Sequence, residues 1–369
     1  MEKFKLTIFD KYIFKQVLGA TLVCLLLFII VWIAPETLVR IIKRLLIEHI
    51  SIFEALKMLA FEIPKVLAKA IPVGIMLGSL FTFDSLCKNS ELSIFRGVGL
   101  SFTRIMAPVL VFGAFLSLLC FYVNDQLIPL ASARSGEGLD HNAHFVYMIK
   151  NPDESPKQAV IVSNFTRLGI ANLIVLNFSE KNYDDVSTFK SIIFSPFAIK
   201  TVNNWTLREA KRYVINKNGI YTHVEDIGNY KILKEEGQAE EVYGLMKNST
   251  RRDRSFTTLE MYKYIKLLKS QDYTDECNFM LAKFYQRFLH PLTCIIFAAI
   301  GCLLGFSPPR SQRLVGFTAG VGIIFAYYIT LPFFDMLAQK SVLPPFLASL
   351  IPIAIFIATI FIIKKIRDL

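Results

Sequence analysis

Six uncharged apolar runs, grouped three and three around one long polar stretch, restrict what this chain can fold into more than any other feature. They are residues 18–34, 70–83 and 105–124, then 288–309, 314–334 and 341–363. A stretch of about 20 apolar residues crosses the hydrocarbon core of a bilayer as a helix. Residues 129–270 between the two groups carry charges, turn residues and alternating strand patterns. The reading is three helices in residues 1–128, a domain of about 140 residues in 129–270, and three helices in 271–369. A molecule of this layout works at a membrane and projects a domain from it.

Composition narrows the class further. With 53% hydrophobic residues among 369, an ordinary soluble enzyme is not expected. Residues 1–17 are charged and no small-residue cleavage site follows the first apolar run, so that run reads as a retained anchor. The net charge is +11, but no basic segment is interleaved with aromatics. The Lys and Arg flank apolar runs instead, which points to lipid and away from nucleic acid. None of the six cysteines falls in 129–270, and none forms a CxxC or a His/Cys cluster, so neither a disulfide nor a metal site is expected. His141 and His144 stand three apart without a carboxylate or Cys beside them. No GxSxG, HExxH or GxxxxGK[ST] occurs, and with no catalytic constellation the chain reads as a non-enzyme without a cofactor of its own.

Charge also sets an orientation. Lys3, Lys5, Lys11 and Lys15 precede the first run, and Lys88, Arg96 and Arg104 lie between the second and third. Arg310 and Arg313 separate the fourth and fifth, and Lys364, Lys365 and Arg367 close the chain. Six spans with both termini in the cytoplasm satisfy all four groups, and 129–270 is then on the far side. One loop breaks the pattern. Arg40, Lys43, Arg44 and Lys57 fall between the first two runs, and Arg40, Lys43 and Arg44 share a helical face by their i, i+3, i+4 spacing. Lys65 and Lys69 share another face just before the second run. Such residues either snorkel to headgroups or meet an anionic ligand at the outer leaflet.

In the inserted domain, Ala159–Ser163, Asn172–Phe178, Lys190–Lys200 and Trp205–Ile215 read as strands, rich in Val, Ile, Phe and Tyr and separated by Asn, Asp, Gly and Pro. Short strands at regular spacing fit an antiparallel sandwich, jelly roll or barrel. From Trp205 to Val214 neither alternating face is purely apolar, so the facing of that strand stays open.

Between the second and third runs lies Asn89-Ser-Glu-Leu-Ser-Ile-Phe-Arg-Gly-Val-Gly-Leu-Ser101. Ser90 is placed to cap a short helix, with Glu91 in its first turn. Leu92, Phe95 and Gly99 share a face, and Gly97 and Gly99 allow a sharp turn. The segment is either an interfacial connector or a short helix near 89–99 that docks into a cytoplasmic partner.

This segment resembles the coupling-helix motif of the LptF/LptG permeases of the lipopolysaccharide export transporter: Ser-Glu-aliphatic, then Gly-aliphatic-Ser, with Glu91 and Gly99 at its Glu and Gly. Pro64 and Pro72 match a paired-proline feature of the second span. Phe288-Leu-His-Pro-Leu292 and Val342-Leu-Pro-Pro-Phe346 resemble the fourth and sixth spans. The resemblance covers nearly the whole chain. It implies a permease subunit of an ABC exporter in the bacterial inner membrane, with an inserted periplasmic β-jellyroll. A cytoplasmic ABC ATPase dimer would supply ATP hydrolysis. A second LptF/LptG-type permease, alike or different, would complete the pair, and a periplasmic bridge protein would receive lipopolysaccharide. Glu91, Leu92, Phe95 and Gly99 would couple to the ATPase, and Arg40, Lys43, Arg44, Lys65 and Lys69 would meet lipid phosphates. The alternatives are a permease for another anionic lipid, and a membrane-anchored scaffold or receptor. Charges such as Glu62, Lys65 and Lys69 at membrane depth favour a cavity over a passive anchor.

Overall fold

The computed structural model describes residues 8–33, 38–47, 51–135, 145–150, 155–165, 170–178, 189–201, 204–216, 220–233, 238–249, 251–270, 273–306 and 313–367. The first block comprises α1 (Ile8–Ile33), α2 (Val39–Ile47), α3 (Ile52–Lys88), α4 (Glu91–Gly97) and α5 (Phe102–Tyr122). A π-helical turn, Val123–Leu127, leads from α5 into α6 (Ile128–Ser135). Six strands follow: β1 (Phe145–Lys150), β2 (Pro156–Phe165), β3 (Ile170–Phe178), β4 (Phe189–Lys200), β5 (Trp205–Ile215) and β6 (Tyr221–Ile232). The chain closes with α7 (Gln238–Ser249), a 3-10 turn at Asp253–Ser255, α8 (Thr258–Ser270), α9 (Thr274–Gly305), α10 (Arg313–Gln339) and α11 (Pro345–Ile366). Two compact units result: Met1–Gly136 with Asp253–Ile265 and Asp272–Leu369, and Glu137–Arg252 with Lys266–Gln271.

In the helical unit, six helices among the described residues are long and apolar enough to cross a membrane, three before the insert and three after it. The protein is a multi-pass membrane protein with an inserted β domain. Helices α3 and α9 form its centre: 78% and 72% of their most apolar windows are buried, against 17% for α1 and 22% for α10. Two apolar clusters share this pair. One adds α1, α4 and α5 through Ile13, Val17, Leu92, Phe102 and Phe112. The other adds α10 and α11 through Ile324, Tyr327, Ile353 and Phe356. Small residues set how closely α3 and α9 approach. A Cβ on Gly301 would lie 2.3 Å from the Met76 carbonyl oxygen, and one on Gly305 would lie 2.4 Å from that of Leu80. Apolar association in lipid relies on such close backbone packing, because leaving the tails gains no hydrophobic free energy. Leu22, Leu26, Ile30 and Val31 on α1 remain exposed, as a lipid-facing stripe must.

The other unit carries one antiparallel sheet in which each strand pairs with its sequence neighbours, in the order β1-β2-β3-β4-β5-β6. The antiparallel β domain expected from the sequence is therefore present, and its described strands run as a meander. Val160, Leu173, Ile193 and Leu207 bury the inner face completely. Strand β5 resolves the ambiguous alternation. Trp205 and Leu207 are buried, then Glu209 adopts φ +52° and the register with β6 shifts between Leu207 and Ala210. This bulge moves the buried phase by one residue, so Ala210 faces the core. The Trp205 indole N–H donates to the Ala239 carbonyl at 3.1 Å, tying α7 to β5.

Candidate functional site

Two polar constellations occupy opposite ends of the helical unit. The first surrounds α4. Helix α3 closes with the Asn89 N–H on the Ser85 carbonyl, and Ser90 takes a left-handed φ of 60°. In that conformation its side chain makes no cap hydrogen bond, which corrects the capping expected of Ser90. The Asn89 amide instead donates to Glu91 Oε1 at 3.3 Å. Gly97 ends α4 without a positive φ; only Gly99, at φ +91°, makes the turn that a side chain would strain. Gly99 thus lies beyond the helical face it was expected to share with Leu92 and Phe95. Ser101 then caps α5 by accepting from the Arg104 N–H at 3.3 Å.

One face of α4 is anchored and the other is displayed. Leu92 is buried, and the Phe95 ring meets Phe9 of α1 edge-on at 4.6 Å. The Tyr12 hydroxyl donates to Glu91 Oε2 at 2.8 Å. Beside it, Arg104 of α5 holds Asp10 of α1 through two hydrogen bonds of 2.7 and 2.8 Å. The Arg96 guanidinium lies 5.6 Å from the Phe306 ring centre. Ile94 and Val98 stay 61% and 79% exposed, an apolar pair left uncovered among the described residues.

The second constellation surrounds a cavity of about 330 Å³ at the far end of the bundle. Trp32 at the end of α1 forms part of its wall, with the Lys69 ammonium 4.7 Å from the ring centre. The Tyr328 hydroxyl donates to the Lys69 carbonyl at 2.8 Å, and the Ala68 carbonyl, which Pro72 leaves without its helical N–H, accepts from the Cys120 thiol at 3.6 Å. Deeper in, Lys283 of α9 pairs with Asp335 of α10, and the Gln286 amide donates to the same carboxylate. His290 hydrogen-bonds to the Tyr327 hydroxyl with the rings stacked. Arg287 donates to the Asp253 carbonyl at 3.1 Å and stands 3.8 Å from Asp125. Asp125 in turn accepts from the N–H and hydroxyl of Thr258. The π-helical turn after α5 positions Asp125, a recurrent use of such turns. Charges this deep among apolar spans are expensive unless paired, and here Lys283 is paired with Asp335 and Arg287 stands beside Asp125. The cavity can hold an amphiphile whose polar part meets Lys69, Arg254 and Arg287 and whose apolar part meets aromatic walls.

The expected basic residues divide between places. Lys69 lines the cavity. Lys65 is paired with Glu62 one turn earlier at 3.1 Å. Arg40, Lys43 and Arg44 lie on α2 as their spacing requires, with Lys43 exposed; the side chains of Arg40 and Arg44 lie outside the described residues, as do His141 and His144. Sequence reasoning missed Lys283, Arg287, His290 and Asp335. Their signal was available: Lys283 and Arg287 stand four apart just before the fourth apolar run, and Asp335 immediately follows the fifth.

The profile of the family described as "Lipopolysaccharide export system permease LptF/LptG" matches residues 11–365. The chain is also similar to the lipopolysaccharide export system permease protein LptG of Haemophilus influenzae, with 22% identity over 391 aligned positions, covering 97% of this chain and 99% of the relative.

Proposed function

The chain belongs to the LptF/LptG family of lipopolysaccharide export permeases, and on that premise we propose that it is the membrane subunit of an ABC exporter that lifts lipopolysaccharide out of the bacterial inner membrane. The observation that carries this reading is the extent of the family match, which runs through both helical blocks and the insert. The chain binds lipid and moves; ATP hydrolysis belongs to a cytoplasmic ATPase dimer, and a second permease of the same type completes the pair.

The orientation follows from charge. Lys11, Lys15, Lys88, Arg96, Lys364 and Lys365 gather at the end that carries α4, which the positive-inside rule assigns to the cytoplasm. The cavity then faces the periplasm. The chain leaves for the insert after α6 and returns at Asp253, and Ile128 and Asp253 both line that cavity. A β domain inserted at that point of the chain is suited to receive lipid and hand it to a periplasmic bridge protein. In the cytoplasm, Glu91 on α4, with Leu92 and Phe95 as its anchor and Gly99 as its turn, offers Ile94 and Val98 to the ATPase. On the outer side, Arg40, Lys43 and Arg44 of α2 meet lipid phosphates first, with Lys65 and Lys69 behind them. Each phosphate contact in a partly dehydrated site contributes about 1.5–3 kcal/mol, against about 1 kcal/mol for a basic group near bulk anionic headgroups.

Copurification with partners from native membranes, followed by mass spectrometry of bound lipid, tests the cargo; recovery of another anionic lipid alone would reassign it. Coupling is tested by Glu91→Lys. The variant should insert normally yet export no lipid when the ATPase turns over. Parental export and parental ATPase copurification in that variant would refute the assignment of α4.

A further inference from the structure

The proposed function gives α4 the task of receiving force, but α4 has only seven residues and touches little of the cavity end. Its contacts with α1 are therefore informative. Within four residues of α1, Phe9 packs on Phe95, Asp10 holds Arg104, and Tyr12 donates to Glu91. The Asp10 side chain is 7% exposed and that of Arg104 34%, so this pair is half-sheltered, whereas the Tyr12–Glu91 contact beside it is open to solvent. The ion pair also explains why a cation is tolerated in the first turn of α5, where the helix dipole disfavours it. Helix α1 then continues without a proline or a described break to Trp32. Trp32 stacks on Phe28 at 5.3 Å, lies 6.1 Å from Tyr328, and carries Lys69 over its face. At 1.5 Å per residue, Phe9 and Trp32 are about 35 Å apart along one rigid element.

We propose that Tyr12 is a positioning residue for Glu91, and that with Phe9 it fastens α4 to α1, while Asp10 holds the start of α5, so that α1 carries the displacement of α4 to the Trp32–Lys69 wall of the cavity. The inference rests on α4 being the coupling element. It assigns to α1 a transmitting part that the long central helix α3, contiguous with α4, would otherwise be taken to perform alone. Only the Tyr12 hydroxyl is needed for the contact with Glu91, so Tyr12→Phe removes the link and keeps the ring.

Two measurements decide the matter. The first needs no ATPase: spin labels at Lys11→Cys and Ile94→Cys, both exposed positions, report the α1–α4 distance in the purified full-length permease. Tyr12→Phe should broaden that distribution, and an unchanged distribution overturns the proposal whatever transport does. The second is lipid exported per ATP hydrolysed in vesicles containing the complete transporter. Loss of one hydrogen bond should lower this ratio roughly two- to tenfold, with ATPase assembly unaltered. In a Glu91→Ala background, where no side-chain oxygen remains to accept from it, Tyr12→Phe should have a smaller further effect, because residues acting as a pair are non-additive. A merely structural Tyr12 would give equal losses in both backgrounds, and that result also overturns the proposal. If Glu91→Lys proves silent while the label distribution broadens, the contact exists but the coupling assignment of α4 has failed, and the transmitting part of α1 falls with it.

Discussion

The ion pair between Lys283 and Asp335 provides a sharp test of how the cavity is held. Their side chains are only 20% and 10% exposed, so neither charge is comfortable alone. Asp335→Leu would leave the Lys283 ammonium with the Phe279 ring at 5.2 Å as its remaining described partner, and would strip the Gln286 amide of its acceptor. Removing one member of a buried pair costs about 3–5 kcal/mol, and the ring returns only about 0.5–2 kcal/mol of that. Lys283→Met is expected to cost less, about 3 kcal/mol, because Gln286 still donates to the carboxylate. The double variant places two apolar side chains together and should lose only about 1–3 kcal/mol, the cost of the Gln286 amide without its acceptor, since hydrophobic replacement of a buried pair is otherwise often neutral. The assay is unfolding in mixed detergent micelles followed by tryptophan fluorescence. The chain has two tryptophans: Trp32 lines this cavity, and Trp205 sits in the β unit. Additive losses in the double variant would show that the two side chains are not opposed in a dry site, and the account of the cavity would fail.

Two further outcomes follow from packing and ionisation. Gly301→Ala, whose Cβ would collide with the Met76 carbonyl of α3, should destabilise the bundle by about 1–3 kcal/mol, whereas Gly322→Ala, with nothing within 4 Å, should be nearly silent in the same assay. Burial, then the neighbouring Glu276 carboxylate, raises the Tyr264 phenol above its ordinary value of 10.0. The folded state thus holds that proton more tightly than the unfolded chain, so its contribution is complete below pH 10 and is lost as pH rises beyond it. Melting temperature should fall above pH 10, and Tyr264→Phe should flatten that fall; an identical slope would remove Tyr264 as its source.

The number and grouping of spans were legible because lipid imposes a length and polarity that local composition reports directly. Their boundaries were not. The apolar run 70–83 lies in the second half of a 37-residue helix, whose earlier part contains Glu62, Lys65 and Lys69. Those charges end an apolar run on paper but not the helix, because Glu62 pairs with Lys65 and Lys69 lies over Trp32. In the sheet, four strands were visible from β-branched and aromatic content, and their bounds were close. Strand β6, YTHVEDIGNYKI, was missed because it is largely exposed and carries polar residues throughout. The alternation of β5 misled because a bulge at Glu209 changes which parity faces inward, a backbone event that residue type alone does not announce.

The two polar ends differed in legibility for the same reason. The region around α4 is built largely from thirteen consecutive residues, Asn89 to Ser101, so the short helix, the pairing of Leu92 with Phe95 on one face and the turn at Gly99 spoke locally, while the cap expected of Ser90 did not form. Even there, the contact that best explains Glu91 comes from Tyr12, 79 positions away. The cavity is almost wholly non-local: Lys69 lies 259 positions from the Tyr328 that holds its carbonyl, and Gln286 lies 49 from Asp335. Each of these residues, taken singly, reads as a helix-end charge or an aromatic in an apolar run. Their meaning comes from the crossing of α1, α3, α9, α10 and α11, which places several charges in a space where none could remain without the others. That mutual dependence also separates a transport cavity from a passive anchor. An anchor reduces its free energy by discarding buried charge, whereas a chain that keeps paired charge around a hollow retains groups able to exchange their partners for a ligand.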